Sequence, residues 1–353
     1  MLRFVVTRPH GKGGGPFLFP PEKTVAGVGE RALLAHLRRR IPVPPGVILG
    51  PGDDAALVAT GPLTVMTADT MVEGVHFRRE WSSARQVGRK ALSVNLSDVG
   101  AMAGRARYAT VSLCLPGDLP LSWVDGLYDG LLERAAEVQV ALVGGNVSGI
   151  DGPVVIDVAL LGESARPLRR GGARPGDVLL VTGSLGLAAA GLALLWAGAQ
   201  LPEDAAPERA CLRAQLDPDP PLAFAAALAE AAGVHAGMDL SDGLSGDLLA
   251  LCAESGLAAL VHADALPLGP PLGAGDPLEL ALHGGEDYQL LLAAGPTHVD
   301  ALQALAREHG VRLTAIGACE AGPAAVWLEQ DGRRTPLPPR AHQHFAARED
   351  GSA

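Results

Sequence analysis

The sequence is poor in cysteine, in long apolar runs and in positive charge, and each shortage excludes a class of protein. The four cysteines (Cys114, Cys211, Cys252 and Cys319) are scattered and form no CxxC pair, which argues against a disulfide framework and a thiolate metal site. No apolar run of about 18 residues is free of charged or turn residues, so we expect no membrane-spanning helix. The formal net charge of −11 disfavours binding to nucleic-acid backbones or anionic membranes.

The remaining composition is that of a folded protein in a reducing compartment. With 353 residues, 48% of them hydrophobic, the chain is long enough for two ordinary domains with a sizeable core. Scattered reduced thiols predict a cytoplasmic location. Residues 1–26 are rich in glycine and proline and do not show the ordered regions of a secretory signal. We therefore expect residues 1–26 to form a loosely ordered extension.

Strand-like and helical patterns alternate along the chain, which predicts an α/β or α+β fold. The runs "DAALVAT" and "LTVMTAD" are typical of strands, and "SARQVGRKALSVNLSDVGAMAG" of a long helix. A basic, glycine-rich stretch, "SARPLRRGGARPGD", interrupts the pattern near the middle. The predicted divisions are an N-terminal domain at 27–165, a C-terminal domain at 166–345 and a tail at 346–353.

Acidic residues stand beside glycines or small polar residues at the ends of apolar segments. Each one alone is more often a helix N-cap or a turn residue than a ligand. Several carboxylates that converged on one site would repel one another and raise one another's pKa unless cations neutralised them. The residues are Asp53 and Asp54 in "GPGDDAALV", Asp69 in "TADT", Asp98 in "NLSD", Asp239 and Asp242 in "DLSDG", and Glu286 and Asp287 in "GGEDY".

Oxygen ligands without a cysteine or histidine cluster indicate a hard cation, Mg²⁺ or Ca²⁺. Because proteins commonly hold Mg²⁺ through a few carboxylates and substrate phosphates, the pattern favours a metal–polyphosphate site. Three further features could meet phosphate: the glycine turn "VTGSLG" before a helix, the guanidinium of Arg170, and Lys90 in an apolar helix. Each also has an ordinary structural interpretation, as a turn, a linker residue or an extended surface side chain.

Six segments in this order resemble the thiamine-monophosphate kinases: "GPGDDAALV", "TADTMVEGVHF", "RKALSVNLSDVGAMAG", "RRGGARPGDVLLVTGSLG", "MDLSDGL" and "LHGGEDYQLLL". The resemblance extends from about Gly29 to Phe345. It implies a two-domain fold like that of aminoimidazole ribonucleotide synthetase, dimerised through N-terminal strands that form a shared barrel. The implied reaction is direct, in-line transfer of the ATP γ-phosphoryl group to thiamine monophosphate, with several Mg²⁺ ions and no covalent intermediate.

The resemblance also implies roles for individual residues. Metal binding would fall to eight of them: Asp53, Thr67, Ala68 (through its backbone), Asp69, Asp98, Asn146, Asp239 and Asp242. The residues that contact ATP or its metals would be Gly145, Asn146, Arg170 and Ser241. The thiamine substrate would contact His76, Glu286 and His342.

The sequence departs from the family pattern at two of these positions. Asn146, in "GGNVS", stands where the family commonly has the aspartate of "GGDTT", which keeps an oxygen ligand and removes a charge. His342, in "AHQHF", stands where the family has a larger aromatic residue, and an imidazole stacks with less area. "GGNVS" also occurs in formylglycinamidine ribonucleotide synthetases, so an amidine-forming or ring-closing synthetase is the first alternative. A non-catalytic Mg-nucleotide binding protein is the second.

Overall fold

Two β-sheets and the helices that cover them make up the described part of the chain. The computed structural model describes residues 47–49, 56–59, 63–201, 206–273 and 275–340, all of which belong to one packed unit, 45–342. Asp53 and His342 lie outside the described residues, as do the predicted extension 1–26 and tail 346–353. Of the helices in the described ranges, none is both long and apolar enough to cross a bilayer.

The first half of the chain forms a six-stranded sheet with two helices. In chain order its elements are β1 (Val47–Leu49), β2 (Ala56–Ala59), β3 (Leu63–Val72), α1 (Ala84–Ala101), β4 (Arg105–Leu115), α2 (Leu121–Glu137), β5 (Ala141–Gly149) and β6 (Val155–Glu163). The strand order is β1-β2-β3-β6-β4-β5, with β5 parallel to β4 at the edge. Val65, Val111 and Val158 are buried in the core that includes α1 and α2. Met66 and Tyr108, on the alternate positions of β3 and β4, are exposed, so the helices cover one face.

Helix α1 is capped at its start and buried along most of its length. The Ser83 hydroxyl accepts a hydrogen bond from the Gln86 backbone N–H, and the Gln86 side chain accepts one from the Ser83 N–H, which forms a capping box. A Cβ at Gly88 would lie 2.0 Å from the Leu127 carbonyl oxygen of α2, so only glycine permits this close crossing of the two helices. The close packing fixes the polar residues of α1 relative to the sheet.

The second half forms a seven-stranded sheet with helices on both faces. Its elements are β7 (Val178–Thr182), α3 (Leu187–Trp196), α4 (Pro207–Leu216), α5 (Leu222–Ala227), β8 (Val234–Leu240), α6 (Leu244–Ser255), β9 (Ala258–His262), α7 (Pro277–His283), β10 (Gln289–Ala294), α8 (Val299–Glu308), β11 (Leu313–Glu320), β12 (Ala325–Gln330) and β13 (Arg333–Pro336), with single-turn 3₁₀ helices at Ala263–Ala265 and Pro296–His298. The strand order is β13-β12-β9-β11-β7-β10-β8, and only the β9–β12 pair is parallel within the described sheet. One face packs on α6 and α7 and the other on α5 and α8.

Charged contacts from α1 and α2 tie the first half to the segment before α5. Arg89 of α1 binds the Asp217 carboxylate, with Nε 2.9 Å from Oδ1. Arg134 of α2, which is 5% exposed, binds Asp219 at 2.9 Å. The predicted domain boundary at 165/166 lies between β6 and β7. It stays a prediction, since the described residues of both halves pack as one unit.

Candidate active site

Thr67 and Asp69 lie on the face of β3 that α1 covers, and both contact α1 side chains. The Thr67 hydroxyl donates a hydrogen bond to the Asp98 carboxylate, with 2.5 Å between Oγ1 and Oδ2. The Asp69 backbone N–H donates to Asn95 Oδ1 at 3.1 Å. Because side chains alternate along a strand, the intervening Ala68 lies on the opposite face, where it is exposed. Asp69 and Asp98 therefore project to the same side of the first sheet.

A third carboxylate reaches this place from the second sheet. Asp239, on β8, is 1% exposed, and its Oδ2 accepts a hydrogen bond from the Ser97 hydroxyl at 2.6 Å. Ser97 and Asp98 are consecutive residues of α1, so the end of this helix joins Asp239 to the residues of β3. The predicted metal ligands Thr67, Asp69, Asp98 and Asp239 are thus brought together by the fold.

The phenol of Tyr288 lies among these carboxylates. Burial raises its pKa well above the usual value, and the nearby charges of Glu286, Asp69, Asp239 and Asp98 raise it further. Each carboxylate raises the pKa of Tyr288 because its negative charge would repel the phenolate. The same repulsion acts among the carboxylates themselves, which makes this group a place where cations would be stabilising.

The residue types of the group suit Mg²⁺. A threonine hydroxyl and three aspartates offer only oxygen atoms, which hard cations prefer. Among the described residues, no three acidic, histidine or cysteine side chains lie close enough together to hold a metal ion by themselves. Mg²⁺ usually keeps several waters and binds substrate phosphates in addition to one or two carboxylates. An open set of aspartates fits that mode of binding.

The loop after β8 and the segment before β10 are held together by backbone hydrogen bonds. Glu286 N–H donates to the Ser241 carbonyl at 2.8 Å, and Tyr288 N–H donates to the Leu240 carbonyl at 2.9 Å. Glu286 and Tyr288 both have positive φ values, +68° and +48°, which is uncommon for residues with a side chain. Asp242 is exposed at the end of this loop. The arrangement places Ser241, Asp242 and Glu286 next to the carboxylate group.

Glu286 is the centre of a polar cluster between the two halves. Its Oε1 lies 2.7 Å from Nζ of Lys90, a buried residue of α1. Its Oε2 accepts a hydrogen bond from Gln215 Nε2, at the end of α4, at 2.5 Å. Burial alone would raise the pKa of Glu286, but Lys90, Gln215 and the nearby His76 outweigh burial and lower the pKa. Glu286 is therefore held as a carboxylate.

His76 follows β3 and is fixed by its neighbours. Its Nδ1 accepts a hydrogen bond from the Val72 backbone N–H at 3.0 Å, so a neutral imidazole here carries its proton on Nε2. Its carbonyl accepts a hydrogen bond from Lys90 at 3.3 Å. His76, Lys90, Gln215 and Glu286 line one cavity of about 160 Å³. The two described residues with a predicted role in thiamine binding, His76 and Glu286, thus share a cavity.

The structure does not bring Asn146 to the aspartates of α1 and β3. Asn146 is exposed on the edge strand β5 and pairs in register with Ser112, which pairs with Asp157. Asp157 in turn accepts a hydrogen bond from Thr70 at 2.6 Å. Thr70 follows Asp69 directly and therefore faces the other side of the sheet. The metal and ATP roles of Asn146 stay predictions.

Gly145 and Arg170 have clear structural positions, but their ATP roles stay predictions too. A Cβ at Gly145 would lie 2.0 Å from the Val111 carbonyl oxygen, so the pairing of β5 with β4 itself requires glycine there. Arg170 lies in the connection between the halves, where its carbonyl accepts a hydrogen bond from the Ser255 hydroxyl at 2.9 Å. Packing therefore accounts for Gly145 of the "GGN" pattern.

The glycine turn before α3 binds a carboxylate of the chain itself. Asp287 accepts hydrogen bonds from the backbone N–H groups of Gly186, at 2.6 Å, and Ala188, at 3.1 Å. Burial raises the pKa of Asp287 to about 7, although the N–H groups at this helix start lower it. The prediction that "VTGSLG" offers these donors to phosphate is corrected by this contact. The start of α3 thus binds an anionic group as expected of a helix N-terminus, but the anion is the Asp287 carboxylate of the chain itself.

Sequence reasoning missed two residues of the site and gave a third a different partner. Tyr288 follows Glu286 and Asp287 in "GGEDY", and its position beside a recognised motif was the available signal. The sequence indicates Lys90 as a cation in an apolar helix that could meet phosphate, whereas in the structure it pairs with Glu286. Gln215 gave no signal, because a single glutamine near the end of a helix is ordinary.

Two family models match the chain in sequence. Residues 52–164 match "AIR synthase related protein, N-terminal domain", and residues 174–327 match "AIR synthase related protein, C-terminal domain". Their junction falls near the basic stretch that interrupts the sequence pattern. The fold described above is the two-domain, aminoimidazole ribonucleotide synthetase-like fold that the resemblance implied.

Named relatives and a solved structure indicate one family among the proteins that share this fold. The thiamine-monophosphate kinase of Rhodopirellula baltica is 33% identical over 313 residues, which cover 84% of this chain and 91% of that protein. The Mycobacterium tuberculosis thiamine-monophosphate kinase is 38% identical over 278 residues, 76% of this chain and 81% of that one. A solved structure, "AaThiL complexed with AMPPCP and TMP", superposes with a TM-score of 0.77 at 33% identity, over 90% of this chain and 97% of that chain. The chain belongs to the thiamine-monophosphate kinase family.

Proposed function

We propose that the protein transfers the γ-phosphoryl group of ATP to thiamine monophosphate and so forms thiamine diphosphate and ADP. The observation that carries the proposal is that α1 contacts predicted metal ligands from both sheets: Asp98 and Asn95 bond to Thr67 and Asp69 of β3, and Ser97 donates to Asp239 of β8. The relatives' names and the solved complex with AMPPCP and TMP support the same reaction. Phosphoryl transfer between two phosphates needs charge neutralisation and alignment more than it needs a protein nucleophile.

We assign the binding of several Mg²⁺ ions to the carboxylate group. Thr67, Asp69, Asp98 and Asp239 would hold metal together with Asp53, Asp242 and the Ala68 backbone. Asn146, which lies away from these aspartates on β5, would bind a separate one of the several ions. Bound Mg²⁺ neutralises phosphate charge and orients the transferring group. Ser97 and Thr67 hold their carboxylate partners in place through the hydrogen bonds described above. Gly145, Asn146, Arg170 and Ser241 are the residues that we assign to ATP.

We assign the thiamine substrate to the cavity that His76 and Glu286 share. Thiamine carries a permanent positive charge on its thiazolium ring, and the anionic Glu286 favours a cation nearby. Lys90 keeps Glu286 ionised, and Nε2–H of His76 can donate to the substrate. His342, outside the described residues, is the third predicted contact. We propose direct transfer, in which the acceptor phosphate extends from this cavity toward the aspartates.

We further propose that the protein is a homodimer that pairs through the uncovered face of the first sheet. Met66, Leu161 and Tyr108 form one cross-strand row on that face and are 47%, 39% and 53% exposed. Exposed apolar rows of this kind are typical of interaction surfaces. All four cysteines are free thiols, which supports our proposal of a cytoplasmic location.

The test of the reaction is a coupled product analysis. The purified protein is incubated with Mg-ATP and thiamine monophosphate, and the thiamine esters are separated after oxidation to fluorescent thiochromes. We expect thiamine diphosphate to appear in step with ADP and to be lost on addition of EDTA. A folded protein that binds Mg-ATP but forms no diphosphate would contradict the proposal and favour the ring-closing synthetases, for which "GGNVS" is the supporting feature.

A further inference from the structure

Two tryptophans form one wall of the cavity that contains Glu286. The rings of Trp81 and Trp196 lie with 4.7 Å between centroids at an angle of 81°, an edge-to-face contact. Both line the cavity together with His76, Gln215 and Glu286. Trp196 is the last residue of α3 and is 62% exposed. A large part of Trp196 is therefore open to solvent beside the cavity.

This wall already attracts a flat, positively charged group. The Arg78 guanidinium lies 4.7 Å from the centroid of the Trp196 ring and 5.2 Å from that of Trp81. Indole faces attract cations and stack with planar groups. The indole pair is therefore suited to contact a planar, electron-poor ring.

Gln215 brings a buried amide group to the wall of the cavity. The residue is 6% exposed, and its Nε2 donates to Glu286. Its other amide atom, Oε1, is buried and has no hydrogen-bond partner among the described residues. A buried acceptor that lacks a donor is unfavourable. An N–H donor on a ligand in the cavity would satisfy it.

The cavity, which opens to solvent, has room for about one ring of a ligand. Its volume is about 160 Å³, close to the roughly 150 Å³ of an apolar cavity that holds benzene. Thiamine monophosphate has a six-membered aminopyrimidine with an exocyclic amine and a five-membered thiazolium without an N–H group. The thiazolium bears the phosphorylated side chain, so the aminopyrimidine is the end remote from the reacting phosphate.

We propose that Gln215 and Trp196 select the substrate by its aminopyrimidine ring, Gln215 Oε1 by accepting a hydrogen bond from the exocyclic amine and Trp196 by stacking on the ring. This inference rests on the proposed function. Glu286 orients the Gln215 amide by accepting a hydrogen bond from its Nε2. This leaves Oε1 as the atom that can accept a hydrogen bond from the ligand. The Glu286 carboxylate is already paired with Lys90. It therefore does not compete with Gln215 Oε1 for the exocyclic amine of the ligand.

The stacking is tested with Trp196→Ala and Trp196→Phe. We expect Trp196→Ala to raise the KM for thiamine monophosphate about 3- to 10-fold, the range that aromatic contacts provide, and Trp196→Phe to restore most of the loss. The KM for ATP and the Tm should not change. Trp327→Ala is the matched control, because Trp327 also carries a guanidinium, that of Arg334 at 4.8 Å, but lies on β12 outside the cavity.

The hydrogen bond is tested with Gln215→Met and two substrates. Oxythiamine monophosphate, in which oxygen replaces the exocyclic amine, lacks the exocyclic donor and carries an N–H on the adjacent ring nitrogen instead. We expect wild-type kcat/KM to favour thiamine monophosphate about tenfold, and Gln215→Met, which keeps the side-chain length, to lose most of that preference. Because the preference is a ratio within one variant, a general loss of stability in Gln215→Met does not alter it.

The outcomes separate the inference from the proposed function. If wild-type protein phosphorylates neither thiamine ester, the proposed function fails and this inference falls with it. If wild-type protein is active but Trp196→Ala leaves the KM for thiamine monophosphate unchanged, the stacking is refuted while the function stands. An unchanged substrate preference in Gln215→Met would likewise overturn the hydrogen bond.

Discussion

Lys90 of α1 and Glu286 before β10 form an ion pair of 2.7 Å that joins the two halves of the chain inside the proposed substrate cavity. The Lys90 side chain is 5% exposed and that of Glu286 26%. The pair therefore holds the carboxylate in position as well as ionised, and it connects the packing of α1 to substrate binding.

The first prediction concerns this pair. Lys90→Met should leave Glu286 with Gln215 as its side-chain hydrogen-bond partner among the described residues and cost about 1–3 kcal/mol of unfolding free energy, the usual cost of a buried group that loses its partner. The KM for thiamine monophosphate should rise more than the KM for ATP, because the Glu286 carboxylate faces the substrate cavity. Urea unfolding and steady-state kinetics measure the two effects.

An exposed ion pair provides the control for Lys90→Met. Arg85 and Glu133 lie 2.5 Å apart on α1 and α2, and their side chains are 61% and 36% exposed. Arg85→Met should cost less than about 1 kcal/mol, since surface pairs are weak, and leave both KM values unchanged. Equal effects of Lys90→Met and Arg85→Met on the two KM values would contradict the role assigned to Lys90.

The second prediction concerns charge in the carboxylate group. Asp98→Asn should reduce kcat at least about 100-fold, because it removes a charge that would act on bound metal and phosphate. Without added metal its Tm should equal or exceed that of the wild type, since a repelling charge is gone and the Thr67 hydroxyl can still donate to the amide oxygen. Asp157→Asn is the comparison variant. It alters a similar threonine–aspartate contact on the face of the first sheet that α1 does not cover, with 2.6 Å between Thr70 Oγ1 and Asp157 Oδ2.

Asp157→Asn should keep near-normal activity if the site lies wholly on the face that α1 covers. Loss of activity in Asp157→Asn would instead place the row of Asn146, Ser112 and Asp157 in the site and support the predicted role of Asn146. Near-normal activity in Asp98→Asn would show that the metal assignment of Asp98 is wrong.

The third prediction compares two buried serines of α1. Ser97 donates to Asp239 at 2.6 Å, and Ser93 accepts from Arg134 Nε at 3.0 Å. Ser97→Ala and Ser93→Ala should each lower the unfolding free energy by about 1–3 kcal/mol. Only Ser97→Ala should raise the Mg²⁺ concentration needed for half-maximal activity, because only Ser97 orients a proposed metal ligand. A similar shift in both variants would attribute the effect to α1 as a whole.

Sequence patterns predicted the individual elements better than their arrangement. Periodicity located α1 and the strand β3, because both follow local rules of side-chain spacing. The pairing of Lys90 with Glu286 and of Asp287 with the turn before α3 could not be predicted, since each joins segments that are distant along the chain. Trp196 was missed for the same reason: only the packing of α3 against Trp81 turns an exposed indole into a cavity wall.

The fourth prediction concerns pH. Burial raises the pKa of Asp287 to about 7 from an ordinary value of 3.8, so the folded protein binds a proton that the unfolded chain releases between these values. This contribution to stability is complete below pH 3.8 and is lost as the pH rises through 7. Between pH 5 and 7 the unfolding free energy should fall by up to about 1.4 kcal/mol per pH unit from this group.

Asp287→Asn mimics the protonated side chain and should remove this contribution. Urea unfolding in EDTA at pH 5, 6, 7 and 8 measures the difference between the wild type and the variant. The unfolding free energy of Asp287→Asn minus that of the wild type should increase as the pH rises from 5 to 8, because only the wild type loses this contribution. A difference that is constant with pH would mean that Asp287 is ionised throughout, held by the N–H groups of Gly186 and Ala188.

The fifth prediction concerns the uncovered face of the first sheet. Leu161→Glu introduces a charge in the middle of the row that also contains Met66 and Tyr108, where a partner sheet would desolvate it. We expect the wild type to have the mass of a dimer in light scattering after gel filtration, and the variant to have that of a monomer with a nearly unchanged far-UV spectrum. Glu320→Leu, a change of the opposite sense on β11 of the second sheet, should leave the mass unchanged. A wild-type monomer would refute the dimer outright, whereas a Leu161→Glu dimer would move the interface to another surface.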